Sequence, residues 1–369
     1  MRKCAVFFVV AIISLSQADV RFMRGDVNGD RVLDISDAVS NLLYLFGGDN
    51  APELGCQDAA DANDDGEINL ADAVRILNYL FAGADPLPAP FWTLACDPTE
   101  GELSCGHYGE DLPCPEGGAI IVDHTCTDLS KVPAEWIEEA KAKLRIFYGH
   151  TSHGSQIVTG MTLLREEDDL YSFNQGSGSL SLYETGGDLG YPDSTTWAAR
   201  TREQLDRPDN NRNVVVWSWC GEVSTRTEEM LQRDYLDLMD QLEQEYPDVK
   251  FIYMTGHLDG TGIEGNLHQR NEQIRAFCRA NGKILFDFAD IESYDPDGNF
   301  FLDKGGDDNC DYWINGEKHN WAQEWCERHP GECPSCHCAH SQCLNCLLKG
   351  RAFWWLLARI SGWPGPEGK

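Results

Sequence analysis

The chain is short of positive charge: 29 Lys and Arg face 61 Asp and Glu, a formal net charge of −32 over 369 residues. Nucleic-acid binding needs clustered Lys and Arg to hold phosphates, so that role is excluded, and anionic membrane surfaces are disfavoured by the same deficit. Beyond its first fifteen residues the sequence also lacks a long apolar run. The best candidate, Ala352 to Ile360, falls well short of the roughly 20 residues that span a bilayer. The length exceeds one ordinary domain and suits two.

The N-terminus supplies the one apolar run of note. Met1-Arg2-Lys3, apolar residues to Leu15, then Ser16-Gln17-Ala18 read as a secretory signal peptide over 1–18. Cys4 lies before the run, so it is no lipoprotein anchor. The expectation is an exported protein outside the membrane. Of fifteen cysteines, fourteen follow this segment, and an even number in an exported chain makes disulfides the default. They gather at Cys96–Cys126 and Cys310–Cys346. Their spacing leaves connectivity open.

Residues 25–37 and 61–72 repeat one phrase, about 35 residues apart. Oxygen-bearing side chains fall at loop positions 1, 3, 5, 9 and 12: Asp26, Asn28, Asp30, Asp34 and Asp37, then Asp61, Asn63, Asp65, Asn69 and Asp72. Val32 and Glu67 stand at position 7, where a backbone carbonyl serves. By this spacing a turning loop collects oxygens for a hard cation such as calcium. Arg31 stands where Gly normally permits the sharp turn, which weakens the first loop. Apolar helices follow at Ala38–Phe46 and Ala73–Phe81. These residues resemble a dockerin type I module, and the Leu-Phe-x-Gly helix ends and Cys96-Asp97-Pro98-Thr99 are similar to its planctomycete version. The resemblance runs from residue 21 to about 108. It implies bound Ca2+ and a cohesin-bearing scaffold as partner, although such modules also serve as calcium-stiffened spacers. The module is placed at 19–85 and a Cys/Pro/Gly-rich linker at 86–118.

From 119 to 369 short apolar strands alternate with helices. Strands are expected at Leu144–Tyr148, Val214–Trp219, Phe251–Thr255 and Ile284–Phe288. Helices are expected at Ala134–Lys143, Gln156–Leu164, Thr227–Tyr246, Asn271–Asn281 and Lys349–Ile360. This alternation predicts an α/β fold with a flavodoxin-like, doubly wound parallel sheet. Such sheets bind ligands at the C-terminal edge of their strands.

That edge carries polar cargo. After the first expected strand come His150-Thr151-Ser152-His153-Gly154-Ser155, just ahead of a helix N-terminus that favours developing negative charge. Ser152 is the candidate nucleophile. Its own N–H, with that of Gly187 or Gly221, would hold an oxyanion. His340, ahead of the closing helix, is the candidate base, while His150 and His257 would line the pocket.

The phrase His-x-Ser-x-Gly at 150–154 resembles divergent SGNH (GDSL-type) hydrolases, with the likeness running from about 144 to 360. It implies an esterase or deacylase, with Ser152 as nucleophile, His340 as base and no cofactor in this domain. The usual Gly-x-Asn-Asp phrase is absent, Trp217-Ser218-Trp219-Cys220-Gly221 standing in its place. His337 occupies the position of the usual acidic residue, so the third triad member stays open. A dockerin on an exported hydrolase suggests carbohydrate esters as substrate.

Other classes compete. His150, His153, His257 and Asp259 could hold zinc and activate water. Cys333-Pro334-Ser335-Cys336-His337 matches a c-type haem attachment phrase. A non-catalytic glycan-binding domain is the third alternative.

Overall fold

The computed structural model describes residues 20–48, 51–84, 87–88, 90–91, 94, 96–97, 103–108 and 118–366. The signal-peptide segment lies outside them. Two compact units divide the chain, Met1–Glu116 and Gly117–Lys369.

The first unit is built on α1 (Ile35–Phe46), a single turn α2 (Gln57–Ala60) and α3 (Leu70–Ala82). Each long helix is started by the acidic loop ahead of it. Asp34 caps Ser36 N–H while Asp37 reaches back to Asp34 N–H, and Asn69 and Asp72 repeat the arrangement before α3. Satisfying these otherwise orphaned donors fixes where the helices begin. Phe22, Ala38, Ala59, Ala62, Ile76 and Leu87 form the core. The expected linker at 86–118 is corrected in its described residues, which belong to this unit. Cys56 and Cys105 form a disulfide, Leu87 is buried, and the buried Arg24 holds both carboxylate oxygens of Asp97 at 3.0 Å.

The second unit runs β1 (Ile120–Val122), α4 (Ala134–Lys143), β2 (Arg145–His150), α5 (Ser155–Glu167), β3 (Ser181–Gly186), α6 (Thr196–Leu205) and β4 (Val214–Trp217). It continues through α7 (Glu228–Leu231), α8 (Asp237–Glu245), β5 (Lys250–Met254), α9 (Asn266–Ala280), β6 (Ile284–Phe286) and α10 (Phe288–Glu292). A hairpin of β7 (Asp311–Ile314) and β8 (Glu317–Asn320), then α11 (Trp321–Arg328) and α12 (Cys343–Ser361), complete it.

Six strands form one sheet in the order β1-β6-β5-β4-β2-β3, every pairing parallel. Without β1, which extends the β6 edge, this is the 2-1-3-4-5 order of a flavodoxin-like sheet. Side chains alternate across it. Ile146, Tyr148, Val214, Val216, Ile252 and Met254 join the core under α4, α5 and α12. Phe147, Val215, Trp217, Phe251 and Tyr253 join the other core, with residues of α6, α8 and α9. Helices therefore cover both faces, as the near-continuous apolar strands require.

Helices α5 and α12 meet at glycine. A Cβ on Gly160 would stand 1.8 Å from Cys346 O, and one on Gly350 2.3 Å from the Gly160 carbonyl carbon. Among the described residues no helix is long and apolar enough to cross a membrane. Disulfides join Cys326–Cys333, Cys336–Cys343 and Cys338–Cys346. The expectation that every cysteine pairs is corrected at Cys220, Cys278 and Cys310. Cys278 and Cys310 pack in the two cores as small apolar side chains.

The glycine contact yields a stability prediction. Gly160→Ala should lower the unfolding free energy by about 3 kcal/mol or more, because backbone, not a flexible side chain, blocks the methyl group. Denaturant titration of the variant checks it. An unchanged midpoint would show that the two helices are not in this close contact.

Candidate active site and acidic loops

The site forms where β2 ends. Strands β3 and β4 flank β2, and beyond its last residue their continuations pair with each other, Leu189 bridging to Trp219. The chain leaving β2 cannot go straight on and turns out of the sheet as the elbow Thr151–Ser155. Buried Asp188 holds that turn, accepting Thr151 N–H at 2.7 Å and the Thr151 hydroxyl. Two glycines make the bend possible: a Cβ on Gly149 would collide with the Trp217 ring at 2.2 Å, and one on Gly154 with Ser218 Oγ at 2.2 Å. The elbow lies between β2 and β4, where the strand order reverses. That is the switch point at which such sheets bind ligands.

The elbow divides its two central side chains. Ser152 is exposed, whereas His153 is buried. Among the described residues Ser152 Oγ makes no hydrogen bond, and it does not cap α5, whose N-cap is Gly154. Ser155 Oγ is tied to Ser152 O at 2.6 Å. His153 Nε2 lies 2.8 Å from Asp308 Oδ2 and its Nδ1 lies 3.4 Å from Cys220 Sγ. Against its ring stack those of His257, 3.6 Å between centroids, and His340, 4.5 Å. Residues from four distant segments converge here.

Charge sets the roles. Burial works against the Asp308 carboxylate, but the His153 hydrogen bond and the three neighbouring histidines outweigh it and hold its pKa below the ordinary value. Burial also keeps His153 below its usual value, against the pull of Asp308. Asp308 is then an ionised acceptor, and His153 is neutral with its proton on Nε2. Its Nδ1 is left to accept from Cys220. Burial first, and then the charge of Asp188, raise the Cys220 thiol, which keeps it a donor. That environment is the opposite of the one that activates a cysteine nucleophile. Of the three rings His340 alone is exposed, and it makes no hydrogen bond among the described residues.

The expected pocket residues divide. His257 stays, its Nδ1 2.8 Å from Leu258 O and its Nε2 buried without a partner. A shallow recess beside it is lined by Gly221, Val223, Gly256 and Leu267. Gly221 is left-handed at φ 88° with open space before it. Gly187, at φ 119°, faces Arg200. His150 leaves the group and pairs with Glu184 of β3 at 2.9 Å. The zinc set is corrected accordingly: His150 is engaged elsewhere, and Asp259 accepts from Thr261 within its own turn.

Asp308 takes the place those two leave, and His153, His257 and Asp308 bring donor atoms within 4.8 Å of one another. Their geometry is poor for one cation. The imidazole planes of His153 and His257 are 5° from parallel, so in-plane lone pairs run side by side, whereas zinc at about 2.0–2.1 Å needs them to converge. The haem reading is overturned, because Cys333 and Cys336 are in disulfides with Cys326 and Cys343. Asp308 and Cys220 are the residues that sequence reasoning missed. Asp308 lies 32 residues before His340 with no spacing rule to link them.

In the first unit both loops close on buried carboxylates. Asp26 accepts from the N–H groups of Gly29, Asp30 and Arg31, and Asp61 from those of Asp65 and Gly66. Asp37 accepts from Val27 and Asn28, and Asp72 from Asn63. The side chains of Asn28, Asp30, Asp34 and of Asn63, Asp65, Asn69 bond within the same turns, with Val32 and Glu67 donating N–H at position 7. Burial, reinforced by the neighbouring Asp26, pushes Asp37 up to about 6. Burial likewise pushes Asp72 up to about 6, with Asp61 and Asp65 adding to it. Like charges held together out of water are the condition a bound cation relieves, so the donor set fits calcium. The first loop fits less well. Arg31 is forced to φ 68°, and Tyr108 OH already donates to Asp26.

The chain thus pairs a doubly wound α/β unit, polar at its switch point, with a helical unit carrying two repeated acidic loops. No family model matches it, and comparison with curated proteins finds none similar.

A pH dependence follows for the calcium-free protein. Folding raises Asp37 and Asp72 above the unfolded value of about 3.9, so their contribution is greatest below that pH and is lost as pH rises through about 6. The transition of the first unit should therefore move to lower temperature between about pH 4 and 7. Saturating calcium should reverse that slope, because the bound form needs both carboxylates ionised. Differential scanning calorimetry with chelator and with calcium tests this. Identical profiles would eliminate these loops as a cation site.

Proposed function

We propose that the protein is an exported ester hydrolase, in which Ser152 attacks the carbonyl and His340 takes its proton. One observation carries the reading. His340, brought in by the loop before the closing helix, stacks on the residue next to Ser152, at the switch point of a 2-1-3-4-5 sheet. His153 has both ring nitrogens engaged and the Nε2 of His257 is buried, so the exposed His340 ring is the one open to act as base. Asp308 supplies the negative charge that favours a protonated histidine during the reaction. The N–H groups of Ser152 and Gly221 are the oxyanion donors in this reading.

The first unit supports a docking role. Exposed Ile35, Val39, Leu43 and Phe46 line one face of α1, and Leu70, Val74 and Phe81 repeat that face on α3. Two repeat-related apolar faces on a calcium-held scaffold are in keeping with a dockerin type I module meeting a cohesin-bearing partner. A hydrolase delivered that way acts on carbohydrate esters, here inferred by analogy with the resemblance.

A divalent-cation hydrolase centred on His153, His257 and Asp308 is the second reading, favoured by their proximity and weakened by the parallel rings.

Kinetics on an acetylated-sugar ester panel separates these. Ser152→Ala, His340→Ala and the double variant should fall to a similar residual rate, since groups acting as one unit are non-additive. Ser155→Ala should lose far less. A fluorophosphonate should label Ser152. If Ser152→Ala keeps full rate while a chelator abolishes it, the cation reading replaces this one. Glycan binding without turnover or labelling would make the unit a binding domain.

A further inference from the structure

Beneath the three histidines lies an ion pair with no exposure to water. Lys349 of α12 and Glu292 of α10 are both 0 % exposed, with Nζ 2.5 Å from Oε1. A buried pair of this kind is weak evidence for stability, since apolar residues of similar volume often do as well. Its other contacts suggest a different use.

Three of its contacts lead to loops of the candidate site. Glu292 Oε2 accepts the N–H of Leu258, the residue after His257, at 2.8 Å. Lys349 also donates to Gln156 Oε1, and Gln156 Nε2 donates to Ala339 O, the residue before His340, at 2.6 Å. Asn345 reaches Glu292 Oε1 at 3.4 Å and Ser341 Oγ, the residue after His340, at 2.8 Å. Gln156 itself lies three residues beyond His153, in the first turn of α5. One buried pair is therefore bonded next to His257, on both sides of His340, and within a turn of the elbow.

We infer that Lys349 and Glu292 are positioning residues, whose ion pair sets the register of His340 and His257 against the elbow. Neither touches the reacting atoms. The His340 backbone shows why such a hold is needed. Its φ of 57° is left-handed, a conformation a non-glycine residue keeps only when its surroundings impose it. Gln156 on one side and Asn345 on the other impose it here, and both take their own orientation from the pair. The disulfides Cys336–Cys343 and Cys338–Cys346 bring the same loop to the start of α12, but they fix its base and not the rotation of His340.

The kinetic part of the test rests on the hydrolase reading; the spectroscopic part does not. Lys349→Met combined with Glu292→Gln removes both charges at similar volume and leaves an oxygen for Leu258 N–H. In the full-length protein this variant should stay folded, with kcat down about 100-fold and KM within about two-fold, as expected when reacting groups are misplaced and binding is kept. The ring-proton NMR signals of His153 and His340, shifted by their stacking, should move towards unstacked values. Lys283→Met with Glu243→Gln, an ion pair at the opposite side of the sheet, is the control and should leave both readouts unchanged. Unaltered histidine signals in the folded double variant would overturn the inference, whatever the activity. Shifted signals in a protein that never turns over ester would uphold it and reject the hydrolase reading instead. If the double variant does not fold, Asn345→Ala, which cuts only the arm to Ser341, must shift the His340 signal alone. No shift there overturns the inference equally.

Discussion

The second unit depends on a steric fact at the end of one strand. Leu189 and Trp219 pair across the line β2 would follow, so β2 must stop and its chain must bend. Everything specific about the site descends from that bend. It places a short turn between the strand and α5, turns His153 inward and Ser152 outward, and needs glycine at 149 and 154, where a Cβ has no room. Asp188 then secures the bend with two bonds to Thr151. A sheet lacking this bridge would let the strand run on, and the histidine would lie on a face instead of at an edge.

Much of this fold was legible, because both faces of the sheet are covered. Strands buried on two sides read as continuous apolar runs, so Val214-Val215-Val216-Trp217 and Phe251-Ile252-Tyr253-Met254 announced themselves. Edge strands do not have that constraint. β3, Ser181-Leu182-Tyr183-Glu184-Thr185-Gly186, is largely polar because one side faces solvent, and β1 is only three residues long. The hairpin β7–β8 was readable and passed over: Asn315-Gly316, both at positive φ, is a strong tight-turn signal. The elbow and His340 could be placed from pattern. Asp308 and Cys220 could not, since their roles arise from three-dimensional convergence between segments 67 and 155 residues from His153.

The large negative charge has two different fates. In the first unit, carboxylates are buried close together, and burial first, with neighbouring carboxylates adding to it, shifts Asp37 and Asp72 upward. In the second, the lone carboxylate of Asp308 is surrounded by three imidazoles and shifts the other way. The same residue type is thus held up by burial beside like charges in one unit and held down beside imidazoles in the other. Composition alone cannot separate these cases, because the distinction lies in which charges are neighbours.

The disulfides and the glycine contact then tie the loop that carries His340 to the helix that follows the elbow. The loop bearing His340 is bonded through Cys336 and Cys338 to the first turns of α12. α12 in turn lies against α5 at Gly160 and Gly350, with no space for side chains between the backbones. The elbow bearing Ser152 is the N-terminal lead of α5. Ser152 and His340 are therefore both attached to one close-packed helix pair. Reduction of the two bridges should loosen the loop that carries His340 while the elbow and the sheet stay in place.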